Sequence, residues 1–290
     1  MKYVEKNGSV IIERPEDFRA ENIFDCGQCF RWNLREDGSW QGVAMGKVLR
    51  LYETDSYIEF RCSAEDFESV WRDYFDLDRD YSIIRKRISI DRFTAEAAEF
   101  GKGIRILRQD PWEALCTFII SQCNNIKRIK GIVERFCGMF GDECTYEGES
   151  HKLFPGPEKV ASLREEDLEP LRAGYRAGYI LNAAREVAEG RLDLEKLKGL
   201  PTDEAVRELT RLNGVGIKVA CCAALFGLGK TDAFPVDVWV RRAIERHYGG
   251  GRFDGSVFGG DAGFAQQYIF YYIRSLGEKQ ADRSGSAAVI

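Results

Sequence analysis

The chain has 290 residues, enough for about two domains, and its hydrophobic fraction of 44% can form a core in each. Charged residues make up 31%, and no apolar run approaches the roughly eighteen residues of a membrane-spanning helix, which argues against a disordered or membrane protein and predicts a soluble globular one. The net charge of -5 gives no electrostatic argument for a nucleic-acid partner, so composition alone favours a metabolic enzyme.

The first hundred residues have the composition and period of β-strands joined by short turns. Asn7-Gly8 interrupts residues 3–13 and is typical of a tight turn between two antiparallel strands. The other patterned segments are residues 42–53 and 57–62, which alternate as strands do, and residues 64–75, which have helical spacing. We therefore expect an antiparallel sheet with one or two helices.

Helical spacing begins near residue 101. Asp110-Pro111 is a helix start, with Asp as N-cap and Pro at the first helical position, and the almost wholly apolar residues 112–120 predict a buried helix. Further helical patterns cover residues 126–140, 163–173, 180–189, 202–212, 218–226, 238–248 and 263–276. The expected divisions are a β domain at 1–100, a helical domain at 101–280 and a disordered tail at 281–290.

The nine cysteines are an odd number, and the polar residues 1–14 lack the apolar stretch of a secretory leader. We therefore expect reduced thiols and a cytoplasmic protein. Cys26 and Cys29 have the spacing of a metal or redox pair, but no second pair follows at zinc-site spacing, and the only histidines are His151 and His247. Packed thiols, and no metal site, are the expectation.

The most informative segment is a turn at Gly214-Val215-Gly216 between two amphipathic helical patterns. Two glycines at this spacing permit a tight turn that leaves backbone N–H groups uncovered at the start of the next helix. Such donors, together with the positive end of the helix dipole, bind a phosphate without requiring a basic protein.

Other interpretations of the glycines are possible. A dinucleotide-binding fingerprint requires a strand before the first glycine, but residues 204–212 are helical, and its third glycine would fall at Val219. Gly229-Lys230-Thr231 resembles the end of a P-loop, although the earlier glycine of that motif would fall at Ala224. An ordinary helix-to-helix turn without a ligand remains a further alternative.

Two residues outside the turn narrow the choice. Lys218 follows the second glycine by two positions, and Asp237, in Pro235-Val236-Asp237, follows Lys218 by nineteen. Alone, the lysine is more often a solvated charge and the aspartate an N-cap. Together with the hairpin they resemble the lyase-competent branch of the helix-hairpin-helix DNA glycosylase superfamily.

Further segments resemble the 8-oxoguanine DNA glycosylases of that superfamily over about residues 1–277. They are Gly27-Gln28-Cys29-Phe30-Arg31-Trp32, Gln109-Asp110-Pro111-Trp112, Ser121-Gln122-Cys123-Asn124-Asn125, Gly174-Tyr175-Arg176-Ala177 and Gly263-Phe264-Ala265-Gln266 with Phe270. The resemblance implies an α+β fold, in which an N-terminal antiparallel β-sheet (TBP-like) domain precedes a mainly α-helical helix-hairpin-helix glycosylase domain. This agrees with the order of strands and helices expected from the residue pattern.

The resemblance also implies a bifunctional DNA glycosylase and abasic-site lyase that flips and excises 8-oxoguanine in base excision repair. Its partner is double-stranded DNA with 8-oxoguanine preferentially opposite cytosine, and a monomer is expected. Lys218 is then the nucleophile that attacks the sugar and forms a Schiff base, and Asp237 stabilises the developing positive charge. For the base, the Gly27 carbonyl accepts from the additional N–H of 8-oxoguanine, and Gln266 recognises the Watson-Crick edge.

By the same resemblance, Phe270 and Cys222 enclose the extruded base, although core packing is their more common role. The residues implied in DNA binding are Asn124, Asn125, Arg128, Tyr175, Arg176, Gly214, Val215 and Gly216. Tyr175 inserts into the vacated stack, and the hairpin binds phosphate. Asn124, Arg128 and Arg176 are implied to lie near the orphaned cytosine, although an arginine taken alone is more often a solvated charge.

The chain departs from the family pattern at three positions. Cys123 replaces the first of three consecutive asparagines, which weakens the expectation of strict cytosine preference. Asn213 replaces a proline that commonly precedes the hairpin, and Trp239 occupies a position that is often histidine, which removes one phosphate contact.

Other functions would require different residues. Endonuclease III-like and adenine-excising members carry four cysteines near the end for an iron-sulfur cluster, but no cysteine follows Cys222, so no cofactor is predicted. A non-catalytic helix-hairpin-helix DNA-binding protein would need neither Lys218 nor Asp237. A glycosylase for a different damaged base is a further alternative.

Overall fold

The computed structural model describes residues 1–249, 253 and 255–284, and its N-terminal part is a six-stranded antiparallel sheet. The strands are β1 (Tyr3–Lys6), β2 (Ser9–Glu13), β3 (Trp32–Leu34), β4 (Trp40–Ala44), β5 (Lys47–Glu53) and β6 (Tyr57–Phe60). Their order across the sheet is β1-β2-β6-β5-β4-β3. A mostly helical domain follows, so the predicted α+β fold class is confirmed.

Two tight turns determine how the strands pair. Asn7 and Gly8, with φ of 52° and 75°, join β1 to β2 as predicted. Met45 and Gly46, with φ of 54° and 70°, join β4 to β5. The sequence pattern treated residues 42–53 as a single strand, because methionine is not a residue that usually marks a turn.

Aromatic side chains form the core of this domain. The Trp32 ring stacks on Phe24 with 4.2 Å between ring centroids, and Trp71 approaches Trp32 edge-on. Gly42 lies directly beneath the Trp32 ring, where a Cβ atom would overlap it. The helical segments that contribute to this core are α1 (Ala20–Asp25), α2 (Ala64–Asp66), a π-helix (Phe67–Trp71) and α3 (Arg72–Tyr74).

The helical domain is built around α6, in which all ten residues are buried, as predicted. Asp110 caps this helix by accepting a hydrogen bond from the Glu113 N–H at 2.8 Å. The helices are α4 (Tyr81–Ile88), α5 (Arg92–Phe100), α6 (Pro111–Ile120), α7 (Ile126–Phe140), α8 (Pro157–Ala161), α9 (Arg176–Ala188), α10 (Leu194–Lys198), α11 (Thr202–Leu209), α12 (Ile217–Gly227), α13 (Val238–Tyr248) and α14 (Ala262–Ser284).

Several helix predictions match closely and one does not. The patterns at residues 126–140 and 238–248 coincide with α7 and α13. The pattern at residues 163–173 corresponds instead to a 3-10 helix, Glu165–Leu171, which contains Pro170. A proline in the helix interior has no N–H to donate, so a regular α-helix is disfavoured there. A second 3-10 helix, Ser256–Asp261, precedes α14.

A β-hairpin that the sequence pattern did not predict interrupts the mainly helical domain. It comprises β7 (Glu143–Tyr146) and β8 (Glu149–Lys152), with a turn at Glu147-Gly148. The Tyr146 hydroxyl donates to the Arg61 carbonyl at 2.7 Å and accepts from the Arg50 N–H at 3.2 Å. The hairpin therefore packs against the N-terminal sheet, a contact that no local pattern indicates.

The two domains meet at residues 26–32, whose side chains alternate between two hydrophobic cores. Cys26 and Phe30 belong to the helical core, whereas Cys29 and Trp32 belong to the core beneath the sheet. Helices α4 and α5, on the N-terminal side of the predicted boundary at residue 100, also pack into the helical core. The helical core therefore includes residues of α4 and α5, before residue 100.

The last helix is longer than predicted. Helix α14 continues to Ser284, into the segment predicted as a tail at residues 281–290. The rest of that predicted tail, residues 285–290, lies outside the described residues. Within the described part of the chain, no helix is long and apolar enough to cross a membrane.

Candidate active site

The predicted glycine hairpin connects α11 to α12. Gly214 has a φ of 79° and lies against the Tyr179 ring, where a Cβ atom would overlap the ring carbons. Only glycine meets both conditions without strain. The preceding residue is held by a bond from the Asn213 N–H to the Asn182 side chain at 3.0 Å. The packing on Tyr179 therefore fixes where α12 starts.

The start of α12 is open to an anion. Gly216 is the N-cap and has no side chain to bond the first N–H groups of the helix. The next residue, Ile217, is 73% exposed, so an outside group can approach these donors. Unpaired N–H groups and the helix dipole together favour a phosphate at this position.

Lys218 lies one residue further along α12 and is half-buried. Its Nζ lies 5.5 Å from the centroid of the Phe118 ring. Cys222, one helical turn later, is buried, and burial raises the pKa of its thiol, while a hydrogen bond and the charge from Lys218 oppose the shift. The amine is thus held between an aromatic face and a thiol.

Asp237 approaches the same amine from α13. Its carboxylate caps that helix by accepting from the Val240 N–H at 2.8 Å. Burial raises the pKa of Asp237 above its ordinary value, while the hydrogen bond from Val240 and the charge of Lys218 act in the opposite direction. The structure thus brings together the two residues that the sequence separates by nineteen positions.

Phe118 is a residue that the sequence analysis treated only as part of a buried helix. Its ring stacks on Phe226 at 5.2 Å and meets Phe30 edge-on at 6.1 Å. These neighbours fix the ring beneath the Lys218 amine. No local signal distinguishes this phenylalanine from other apolar residues of α6, because its role depends on packing against α12.

Gly27 and Phe270, two of the predicted base-binding residues, come together where α14 meets the segment that joins the domains. Gly27 has a φ of 81°, and a Cβ placed on it would lie 3.2 Å from the Phe270 ring and 3.5 Å from Ile126. Gln266, one turn before Phe270, is 5% exposed, and its Oε1 has no hydrogen-bond partner among the described residues. A buried acceptor without a partner is costly, which favours a ligand donor at this position.

Arg274 also lies beside Gly27, and the sequence analysis did not single it out. Its guanidinium donates to the Asp25 carbonyl at 2.6 Å and lies 5.6 Å from the Phe270 ring centroid. Arg274 therefore contacts both the segment that carries Gly27 and the Phe270 ring. It lies one helical turn after Phe270, but no local pattern distinguishes it from other arginines, because its role depends on contacts with the segment around Gly27.

The residues predicted to contact the opposite strand form a second group, around Tyr175. This tyrosine is 53% exposed, as an inserting side chain requires. Arg176 is only 4% exposed, and it donates to the carbonyls of Gln122, Cys123 and Ala173. The solvated charge considered as an alternative for Arg176 is therefore wrong, and a DNA contact would require it to exchange some of these bonds.

The loop before α7 carries the other predicted contacts. Asn125 caps α7 by accepting from the Arg128 N–H at 2.9 Å, and Asn124 donates to the Ile120 carbonyl at 3.2 Å. Cys123 is exposed and has a φ of 46°. Lys127 and Arg128 are exposed in the first turn of α7, where the helix dipole disfavours cations. An anionic partner would offset that cost.

Among residues 1–249, 253 and 255–284, no group of three or more histidine, cysteine, aspartate or glutamate side chains is arranged to hold a metal ion.

Comparison with known families assigns both halves of the chain. Residues 10–115 match the family described as 8-oxoguanine DNA glycosylase, N-terminal domain. Residues 116–255 match the HhH-GPD superfamily of base excision DNA repair proteins.

Individual relatives agree with these families. The chain is 35% identical to the Saccharomyces cerevisiae protein named N-glycosylase/DNA lyase, over 84% of this chain and 71% of the relative. The structure of a Clostridium acetobutylicum 8-oxoguanine glycosylase/lyase, with double-stranded DNA containing cytosine opposite 8-oxoguanine, is 39% identical. It covers 96% of this chain and 99% of its own, with a TM-score of 0.90. The structure of MBOgg1 with a low-affinity DNA ligand is 42% identical, covers 96% and 100%, and also has a TM-score of 0.90.

Replacing Asp237 by asparagine should stabilise the protein at neutral pH. Asparagine caps a helix as well as aspartate does, so the hydrogen bond to Val240 is kept. Because the folded state raises the pKa of Asp237, the wild type loses stability as the pH rises through that pKa. Thermal unfolding between about pH 3.5 and 8 should show an advantage of Asp237→Asn that grows with pH.

Asp80→Asn is the matched control, because Asp80 caps α4 and its pKa is lowered, first by the Ser82 side chain. The ionised Asp80 carboxylate stabilises the wild-type fold at neutral pH, and this stabilisation is lost as the pH falls. The stability difference between Asp80→Asn and the wild type should therefore have the opposite sign to that of Asp237→Asn. A pH-independent difference for Asp237→Asn would contradict the argument.

Proposed function

Because the chain belongs to the 8-oxoguanine DNA glycosylase family of the HhH-GPD superfamily, we propose that it excises 8-oxoguanine from duplex DNA and then cleaves the strand as an abasic-site lyase. The observation that carries this proposal is the meeting of Lys218, Asp237 and Cys222 at the open end of α12. A phosphate held by that helix end would bring the sugar of the same nucleotide close to the amine.

The chemistry follows from the two polar groups. The neutral Lys218 amine attacks C1′ of the sugar, the bond from C1′ to the base breaks, and the base leaves with the bonding electrons and takes up a proton. Asp237 stabilises the positive charge that develops on the sugar, and its raised pKa makes it a better acceptor for the proton that the amine loses. The sugar ring then opens to a Schiff base. Loss of a C2′ proton expels the 3′ phosphate by β-elimination.

Recognition of the damaged base is assigned to the space between Gly27 and Phe270. The base must leave the stack to reach it. We propose that the Gly27 carbonyl accepts the N–H that 8-oxoguanine has and guanine lacks, and that Gln266 bonds the Watson-Crick edge. The unpartnered Oε1 of Gln266 supports this role. Guanine would leave the Gly27 carbonyl without a donor, a penalty that favours the lesion. Phe270 and Cys222 would enclose the ring.

On the duplex side, Tyr175 would occupy the gap left by the extruded base. Asn124, Asn125 and Arg128 would lie near the orphaned cytosine, and Arg176 would reach it only by giving up bonds to carbonyls. Gly214, Val215 and Gly216 would bind the backbone phosphate. A net charge of -5 is compatible with this interface, because backbone donors and a few placed cations supply the attraction.

We further propose that the enzyme works as a monomer in the cytoplasm on chromosomal DNA, without an iron-sulfur cluster. The cluster is disfavoured because no cysteine follows Cys222 in the sequence. A non-catalytic DNA-binding role would not explain why Lys218 and Asp237 meet at one site.

Borohydride trapping tests the nucleophile. With a duplex containing one 8-oxoguanine opposite cytosine, the wild type should give a covalent protein-DNA adduct, because borohydride reduces the Schiff base to a stable amine. Lys218→Gln should give none, since an amide cannot form a Schiff base. Lys196→Gln, at an exposed lysine on α10, is the control and should trap normally.

Failure of the wild type to release the base or to form the adduct would refute the proposed function. An adduct that persists at the wild-type level in Lys218→Gln would instead refute the assignment of the nucleophile.

Cys123 leads to a prediction about the opposite base. A thiol is a weaker hydrogen-bonding group than an amide, so the preference for cytosine should be modest. Restoring the amide in Cys123→Asn should increase the cytosine preference by about fivefold, which corresponds to a hydrogen bond of about 1 kcal/mol. Single-turnover rates opposite each of the four bases measure this, with Cys144→Asn on β7 as the control. A large cytosine preference in the wild type, unchanged in Cys123→Asn, would show that Cys123 has no such role.

A further inference from the structure

The segment that carries Gly27 is held at several points between the two domains. Gln28, the next residue, is fully buried and donates to the carbonyls of Ile23 and Arg105, while its Oε1 accepts from the Leu107 N–H at 2.9 Å. The chain then passes through Cys29 and Phe30, which pack into different cores. Arg31 follows directly. The position of the Gly27 carbonyl thus depends on the hydrogen bonds and packing of residues 28–31.

Arg31 is a buried cation with little direct support. It is 5% exposed, and its guanidinium donates through Nη2 to the Lys152 carbonyl of β8. Its Nε and Nη1 are buried and have no hydrogen-bond partner among the described residues. A buried charge of this kind is costly unless an opposite charge compensates it.

Glu113 is the carboxyl group that can supply an opposite charge near Arg31 when it is ionised. It lies on α6, is 9% exposed, and faces the same small cavity as Arg31, together with Cys29, Tyr74 and Gln109. Burial raises the pKa of Glu113 to about 7, and the charge of Arg31 opposes this rise. Among the described residues the Glu113 carboxylate has no hydrogen-bond partner, whereas the Asp110 carboxylate, which lines the same cavity, caps α6.

The two charges belong to different parts of the site. Arg31 ends the segment that presents Gly27, and Glu113 lies on the helix whose Phe118 supports Lys218. In a poorly polarisable interior, charges interact strongly even without direct contact. A change in either group would therefore shift the base-recognition segment relative to the helix beneath the nucleophile.

We propose that Arg31 and Glu113 form a buried positioning pair that holds the Gly27 carbonyl at the depth needed to recognise oxidised guanine. The inference rests on the proposed function, and neither residue touches the substrate. This role affects one of two reactions of the enzyme and not the other. Excision of the base requires the Gly27 carbonyl, whereas cleavage at a preformed abasic site requires Lys218 but involves no base.

The test compares these two reactions in Glu113→Gln at a pH above about 7, where the wild-type carboxylate is ionised; the substitution keeps the shape of the side chain but removes its charge. The single-turnover rate of 8-oxoguanine release should fall about tenfold or more, because small displacements at a reacting centre have large effects. Strand cleavage at a preformed abasic site should stay within about twofold of the wild type, since the lysine remains in place. The ratio of the two rates is the readout, because a general loss of stability would lower both rates equally and leave their ratio unchanged.

Arg31→Gln should lower the same ratio, and the double variant should recover part of it, because it leaves no uncompensated buried charge. Glu113→Asp, which keeps the charge but withdraws it by one methylene, should also lower the ratio. It carries the test if Glu113→Gln does not fold.

Asp17→Asn is the matched control. Asp17 is also buried and forms an ion pair with Arg85 of α4 at 2.7 Å, which likewise joins the N-terminal domain to the helical core. This variant should lower the melting temperature without changing the ratio of the two rates.

An unchanged ratio in folded Glu113→Gln or Glu113→Asp would overturn the proposal, as would an equal fall in Asp17→Asn. A double variant whose loss is the product of the two single losses would also overturn it. Failure of the wild type in both reactions would instead contradict the proposed function.

Discussion

The packing of Gly214 against the Tyr179 ring is the contact on which the site depends. It allows the chain to turn tightly between α11 and α12, and so fixes the point at which α12 begins. The uncovered N–H groups and Lys218 both lie within the first turn that follows. One helix start thus provides the anion site and the amine, and their separation is set by helix geometry rather than by a flexible loop. The buried α6 supports this helix from below, with Phe118 under the amine.

The base-recognition space has a different origin, because it is assembled from two domains. Gly27 comes from the segment whose side chains alternate between the cores, and Phe270 and Gln266 come from the last helix. Such a space is only as well defined as the contacts that hold the domains together. Buried polar residues along this boundary, such as the proposed pair Arg31 and Glu113, therefore affect the specificity for oxidised guanine without touching the substrate.

Local chemistry accounts for the features that could be predicted from the sequence. The Asn7-Gly8 turn, the Asp110 cap of α6 and the extent of α7 are encoded by a few adjacent residues. The roles of Lys218, Asp237, Gly27 and Phe270 were expected from the resemblance alone. The structure places Lys218 near Asp237 and Gly27 against Phe270.

The features that could not be predicted depend on contacts between distant segments. The β7–β8 hairpin forms against the N-terminal sheet, and Phe118 becomes part of the site only because α12 packs over it. Arg176 is buried because three carbonyls surround it, although its sequence context is that of an exposed arginine. Amphipathic period predicts which face is buried, but it does not identify the partner.

The most direct test of the account is a crystal structure of Lys218→Gln bound to a duplex with one 8-oxoguanine opposite cytosine. We predict an extruded base between Phe270 and Cys222, with its additional N–H donating to the Gly27 carbonyl and a phosphate at the start of α12. A base that remains stacked in the duplex, or one that lies outside this space, would contradict it.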